Sequence, residues 1–385
     1  MDFALSDEQK MILAYGEKLV RDFDRAHFLE MAEKREFPAE MWRRMGADGF
    51  LGMMVPEEYG GAGQGMTEMA LLMEGISQQG IPSFMLIAAT MVLAQIAHHG
   101  NEDQKRRLLP AACRGETVFC FVITEPDAGS NSMRIATTAR RRGDRFVLNG
   151  QKTFITGADI ADYGLVVART TPLEEVKRKT DGFTLFVVDF KQAGIEKTYI
   201  PTGIVAPERQ FQVFFDDIEL GPEDVLGEVD RGFDILFESL NPERIVMGAM
   251  GVGIGRYVLR RAAEYASERQ VFGQPIGAHQ GVQHPLAAAR VKVEMAGLMT
   301  YRGAWAYDQG LPAGDDANMA KYFAGEAAIE AVDAAMQAHG GNGFTKEYGI
   351  MDLYPMARLL RTAPLNREVI LSYIGEKTMG MPRSY

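Results

Sequence analysis

Cysteine is nearly absent from this sequence. Cys113 and Cys120 are the only two in 385 residues, too few for a disulfide framework and without zinc-site spacing. A reducing compartment is therefore expected, with both thiols as small buried side chains. No apolar run approaches the roughly 18 residues of a membrane span. The opening stretch MDFALSDEQKMILAYG carries an acid where a signal peptide carries bases, so a soluble, cytoplasmic protein is expected. Positive charge is also short: 41 Lys and Arg against 52 Asp and Glu leave a formal net charge of -11, which repels polyphosphate backbones and argues against nucleic-acid binding. The phosphate loop GxxxxGK, the elbow G-x-S-x-G and any His/Cys/acid cluster with metal spacing are missing, so a metal centre is not expected.

What is present divides by texture. A chain of 385 residues suggests two or three packed units. From Ser6 to Cys113 apolar residues recur at helical spacing, as in Met11-Ile12-Leu13 and Met69-Ala70-Leu71-Leu72. The glycine loop from Tyr59 to Gly65 follows no β-run and reads as a turn between helices rather than a phosphate cradle. From Val118 to Gly227 short β-branched and aromatic runs alternate with Gly, Asp and Asn turns: 118–123, 145–148, 164–168, 183–188 and 211–215. No segment between them is long enough for a crossover helix, so an antiparallel sheet is expected. Helical period then returns over 233–268, 279–309 and 313–339. The expected class is α+β: a helical N-terminal domain (1–117), a central antiparallel β domain (118–228) and a C-terminal helical bundle (229–385). Gly248, Gly251 and Gly255 share one helix face, suited to close approach of a neighbour or a ligand. The 23 methionines, at helical spacing, read as core filler.

Chemistry concentrates in a few segments. Val122 to Ser130 (VITEPDAGS) is a strand entering a turn rich in backbone donors and hydroxyls, able to hold an anion or a ring-edge acceptor. Two more segments are Asn149 to Thr156 (NGQKTFIT) and Arg269 to Gln280 (RQVFGQPIGAHQ). With Gln337 to Phe344 (QAHGGNGF), these resemble the acyl-CoA dehydrogenase family of FAD enzymes, in order and interval, over essentially the whole chain.

The resemblance implies a helical domain, a β domain and a four-helix bundle, assembled as a homotetramer or dimer, with FAD between β domain and bundle. It implies that Phe121, Ile123, Thr124, Gly129 and Ser130 line the flavin ring, with Ser130 also near acyl-CoA. Phe154 would stand where the family has an aromatic on the flavin, followed by Ile155, and Thr156 would bond near N5. Arg269, Phe272, Gln280, Gln337, Gly340 and Gly341 would meet the pyrophosphate and adenosine part from the adjoining subunit. A guanidinium forks onto phosphate oxygens, and paired glycines admit close backbone approach. Asn366 and Glu368 would lie near FAD. His279 and His284 are expected in structural hydrogen bonds.

The family's reaction takes a proton from the carbon α to the thioester and a hydride from the β carbon, giving the trans-2-enoyl-CoA and passing electrons to an electron-transfer flavoprotein. It needs a carboxylate across the substrate from the flavin. Many members carry it about twenty residues after the Gly-Asn-Gly-Phe segment; here that interval lands on Pro364, which has neither an acid nor an N–H to polarise the thioester. Members resembling isovaleryl-CoA and long-chain acyl-CoA dehydrogenases carry the base in an L-x-x-E-R pattern, matched by Leu240-Asn241-Pro242-Glu243-Arg244. Glu243 is the expected base, with Glu368 the alternative, and Asn241 and Arg244 are expected near substrate. Local rules alone make Asn241-Pro242 a helix start. Phe233, Leu236, Phe237 and Leu240 already run at helical spacing, however, so the pair is expected to mark a bend inside a longer helix. Alternative functions for the same fold are an acyl-CoA oxidase or flavin monooxygenase, or a catalytically silent flavoprotein acting as a binding partner.

Overall fold

The computed structural model describes residues 3–383; Met1, Asp2, Ser384 and Tyr385, at the ends of the first and third expected units, lie outside it. The chain begins with six helices: α1 (Asp7–Leu19), α2 (Arg25–Lys34), α3 (Ala39–Ala47), α4 (Met66–Ser77), α5 (Phe84–His99) and α6 (Glu102–Cys113). Local signals set their starts. Ser6 and Gln9 cap α1 reciprocally at 3.1 and 3.0 Å, and Asn101 and Gln104 do the same for α6. The loop from Gly60 to Gly65 is a turn leading into α4, as its composition implies. Helices α4 and α5 are buried almost throughout, with Met66, Met69, Met73, Met85 and Met91 in the core. Even so, among the described residues no helix is long and apolar enough to cross a membrane.

The middle of the chain forms β1 (Phe119–Val122), β2 (Thr138–Arg142), β3 (Arg145–Thr156), β4 (Tyr163–Arg169), β5 (Phe183–Asp189), β6 (Ile195–Ile200), β7 (Gln210–Leu220) and β8 (Val225–Leu226). They make one sheet in the order β6-β7-β3-β2-β4-β5-β8, with β1 beside β4. The sheet is antiparallel-rich but not purely antiparallel: β1 runs parallel to β4, Phe119 opposite Tyr163. No crossover helix is required, because the β2–β3 hairpin carries the chain between them. Strands β2 and β6 are invisible to hydropathy. Arg140, Arg141 and Arg142 of β2 are exposed and only Ala139 enters the core, so backbone pairing with β3, not side-chain burial, makes it a strand.

The rest is helical: α7 (Gly232–Glu268), a small ribbon of β9 (Gln270–Val271) and β10 (Gln274–Pro275), α8 (Gln280–Asp308), α9 (Gly314–His339), α10 (Tyr354–Leu359) and α11 (Arg367–Tyr373). Helices α7, α8 and α9 pack on one another, and α10 and α11 lie on α9. The glycine face of α7 serves its neighbours. A Cβ at Gly255 would stand 2.6 Å from Val293 of α8, and one at Gly251 3.1 Å from the Ala324 carbonyl of α9. That settles the choice between neighbour and ligand at these positions in favour of packing.

Candidate active site between the sheet and the helical bundle

The VITEPDAGS turn is built around a buried ion pair. Glu125 (6% exposed) accepts hydrogen bonds from the backbone of Ala136 at 2.7 Å and Thr137 at 3.0 Å. Its third partner is Lys152 of β3, 0% exposed and 2.9 Å away, which also donates to the Ile123 carbonyl at 2.9 Å. Burial would raise the Glu125 carboxyl, yet Lys152 and these donors hold it below the ordinary carboxylate range. Burial in turn lowers the Lys152 ammonium to about 8 against the pull of Glu125. The turn is further pinned where Thr153 N–H donates to the Thr124 carbonyl at 2.8 Å. Ile123 and Thr124 are thereby tied to Lys152 and Thr153, the residues just before Phe154.

A register shift in β3 between Lys152 and Ile155 re-aims Phe154. Its φ is 56°, and it stands 60% exposed between buried Thr153 and Ile155. Such a backbone is costly for an aromatic residue and belongs where a side chain must be presented. Thr156 exchanges hydrogen bonds with Gln210 at 2.9 and 3.2 Å. Gly129 is exposed, and a Cβ there would meet nothing within 4 Å.

Helix α7 runs unbroken through Pro242, so Asn241-Pro242 does not start a helix. Glu243 lies one residue further on. Burial raises its carboxyl to about 7, against the pull of Arg244 and Lys321. Arg244, itself lowered by burial, donates to Asn241 at 3.1 Å. Lys321 of α9 is 2% exposed and donates to the Leu365 carbonyl. Leu365 lies in the turn that carries Pro364. At the end of this turn Asn366 caps α11 and reaches the β domain, its side-chain amide donating to Ser130 Oγ at 2.8 Å. Glu368 is exposed and pairs with Arg367 at 3.2 Å. Glu243, Arg244, Asn241, Asn366, Ser130 and the VITEPDAGS turn are therefore brought together.

The remaining predicted residues sit elsewhere. Arg269 ends α7, 26 positions after Glu243, or about 39 Å along a helix rising 1.5 Å per residue. Phe272 follows it, 93% exposed with φ 55°. Gln280 opens α8, and Gln337, Gly340 and Gly341 lie at the end of α9. Stacking of Tyr265 on His339 at 4.4 Å draws the α7 and α9 ends together. An open hollow of about 340 Å³ lies there, lined by Gln337, Gly340, Phe344 and Tyr354 among others. A Cβ at Gly340 or Gly341 would meet nothing within 4 Å. His279 keeps a buried Nε2 without a partner, whereas His284 is exposed. Within one chain the two sets of residues are not adjacent.

Lys321 and Lys152 were not singled out from sequence. A signal for Lys321 existed: it is a charge on the alanine face of α9, in step with buried Ala317, Ala324 and Ala328. Lys152 lies beyond the register shift between Leu148 and Gly150, so alternation along β3 gives no sign of its burial and it reads as an ordinary polar strand residue.

Three family models cover the chain: the acyl-CoA dehydrogenase N-terminal domain over residues 6–116, the middle domain over 120–218 and the C-terminal domain over 230–378. Acyl-CoA dehydrogenase FadE12 of Mycobacterium tuberculosis is 44% identical over 386 aligned positions, covering 100% of this chain and 99% of that protein. Among solved structures, a glutaryl-coenzyme A dehydrogenase in complex with glutaryl-CoA superimposes with a TM-score of 0.94 at 31% identity, covering 100% of this chain and 98% of the other. The FAD complex of PigA superimposes with a TM-score of 0.91 at 26% identity, covering 98% of this chain and 99% of the other.

Proposed function

This chain belongs to the acyl-CoA dehydrogenase family, and we propose that it oxidises an acyl-CoA thioester to the trans-2-enoyl-CoA with Glu243 as the base. The residues fit FAD. Phe154 offers an exposed aromatic face beside the turn that carries the Thr124 and Ser130 hydroxyls and that Glu125 braces through Ala136, Thr137 and Lys152. The bare backbone at Gly129, Gly340 and Gly341 faces open space where a ligand's polar edge can approach. Bound FAD supplies the hydride acceptor. Phe121, Ile123, Thr124, Ser130, Phe154, Ile155 and Thr156 would hold its ring, with Asn366 joining the ring site to the bundle through Ser130. Arg269, Phe272, Gln280, Gln337, Gly340 and Gly341 stand about 39 Å along α7 from Glu243. This separation supports the reading that they hold the adenosine and pyrophosphate of a second copy's cofactor, in a homodimer or homotetramer. Exposed Glu368 is left on the rim.

One observation carries the assignment: Glu243 is a half-buried acid on α7 whose carboxylate receives no hydrogen bond among the described residues, and withdrawal from water raises it to about 7. A general base works best when its pKa lies near the working pH, and substrate that expels water strengthens its pull on the α proton. Asn241 and Arg244, on the same turn of α7, would order the thioester side. We further propose an electron-transfer flavoprotein as the acceptor of the electrons, and units spanning 1–117, 118–228 and 229–385. The test is to add a panel of acyl-CoAs anaerobically to the FAD-loaded protein and follow the flavin absorbance. Bleaching by at least one acyl-CoA in the wild type, and almost none in Glu243→Gln, is expected. Equal bleaching in both removes Glu243 from the reaction. Rapid oxygen consumption without an added acceptor would instead identify an oxidase.

A further inference from the structure

Helix α9 meets the Pro364 turn at three points. Lys321 donates to the Leu365 carbonyl, and five residues on Glu326 receives Arg361 at 2.6 Å and Arg367 at 3.3 Å. The turn is closed by Arg367 N–H donating to the Arg361 carbonyl at 3.0 Å. Gly325 permits this approach, since a Cβ there would stand 3.1 Å from the Leu360 carbonyl. Of the cations at these three points, only Lys321 also acts electrostatically on Glu243. We propose that Lys321 is a positioning residue for the reaction: one buried ammonium holds the turn that carries Pro364 and Asn366, and with it the edge of the site that Asn366 joins to Ser130. The proposal rests on Glu243 being the base.

Two observations support a role beyond packing. An ammonium 2% exposed in an alanine-lined face is expensive to keep, and a methionine would fill the same space without that cost. The turn it holds lacks an N–H at Pro364, so its internal bond from Arg367 to Arg361 is supplemented by contacts from outside, namely Lys321 and Glu326 of α9 and Ser130 at Asn366. The charged surroundings are few. Arg244 of α7 and Lys321 of α9 are the cations acting on Glu243. Glu368 of α11 pulls on Lys321, and Tyr373 of α11, beside Asp315, faces Arg244. Burial lowers Lys321 to about 8, so it is charged over the range in which Glu243, at about 7, titrates. Removing this cation leaves Arg244 alone to oppose the burial that protonates the base.

The test compares FAD-loaded wild type, Lys321→Met and Lys321→Arg in anaerobic flavin reduction against pH, using the acyl-CoA that reduces the wild type fastest. Lys321→Met is expected to move the acid-limb midpoint upward by about one pH unit, lowering the rate at pH 7 several-fold with little change in KM. Lys321→Arg, which restores the charge, is expected to recover most of that shift. A separate measurement is hydrogen exchange over 361–367, expected to quicken about tenfold in Lys321→Met as a charge-assisted hydrogen bond is lost. An unchanged pH midpoint in Lys321→Met overturns the proposal, even if the variant is less stable, and so does unchanged exchange over the turn. If no acyl-CoA bleaches the wild type, the parent reading fails instead, and the exchange measurement still decides whether Lys321 holds the turn.

Discussion

Glu125 is buried and Glu243 half-buried, and the charge of a lysine acts on each, yet they are driven in opposite directions. Glu125 is held below the ordinary carboxylate range and Glu243 is raised to about 7. The difference lies in what else their partners do. Lys152 sits 2.9 Å from Glu125, and two backbone N–H groups complete the carboxylate's shell. Around Glu243 the cations are committed elsewhere, Arg244 to Asn241 and Lys321 to the Leu365 carbonyl. Among the described residues no hydrogen bond reaches the Glu243 carboxylate. Burial with full hydrogen bonding gives a structural ion pair, whereas burial with charge but no donor gives a group ready to take a proton.

The contrast is tested most severely by Glu243→Gln, which keeps the shape and removes the proposed base. Flavin reduction by acyl-CoA should fall by about 10³-fold with folding intact, as read by thermal melting and stopped-flow absorbance. Loss of stability rather than rate would make the two glutamates alike. The reverse is expected of Glu125→Ala, which leaves Lys152 as an unpaired buried charge. It should cost about 3–5 kcal/mol of stability and weaken FAD retention, measured by denaturant unfolding and by flavin released on gel filtration.

A third measurement sharpens the contrast through pH. Glu243 is protonated below its raised pKa of about 7 and cannot then accept the substrate proton. The rate of flavin reduction should therefore fall about tenfold per unit below pH 7 and level off above it. The Glu125 pair should contribute nothing to that limb, because its acid titrates below the ordinary range. A rate flat from pH 5 to 8 would remove the distinction. The smallest expected effect is that of Asn366→Ala, which removes the cap of α11 and the 2.8 Å bond to Ser130. About 1 kcal/mol of stability should be lost, with faster hydrogen exchange at the start of α11.

Legibility in the sequence followed how local each signal was. The long helices were readable because apolar spacing repeats over many turns: 233–268 became α7, Gly232–Glu268. Strand β2 was not, since Thr-Ala-Arg-Arg-Arg has no apolar alternation and is a strand only because β3 lies beside it. The parallel placement of β1 was equally hidden, because pairing direction depends on where a distant strand lands. Pro242 misleads if taken alone, yet the apolar residues before it correctly imply a helix already under way. Glu243 could be nominated from its neighbours in the chain. Its raised pKa could not, because that depends on burial by segments distant in the chain, opposed by Arg244 and by Lys321, 78 positions later.

By itself the sequence determined the helical, β and helical order of the chain, its family and a short set of acids that qualify as the base. These depend on residue type and spacing, which survive without coordinates. Only the tertiary structure decided which glutamate is held ionised by a lysine and hydrogen bonds and which is raised toward neutrality. Proton affinity depends on burial and on where neighbouring donors are already engaged, and both arise only when distant segments pack.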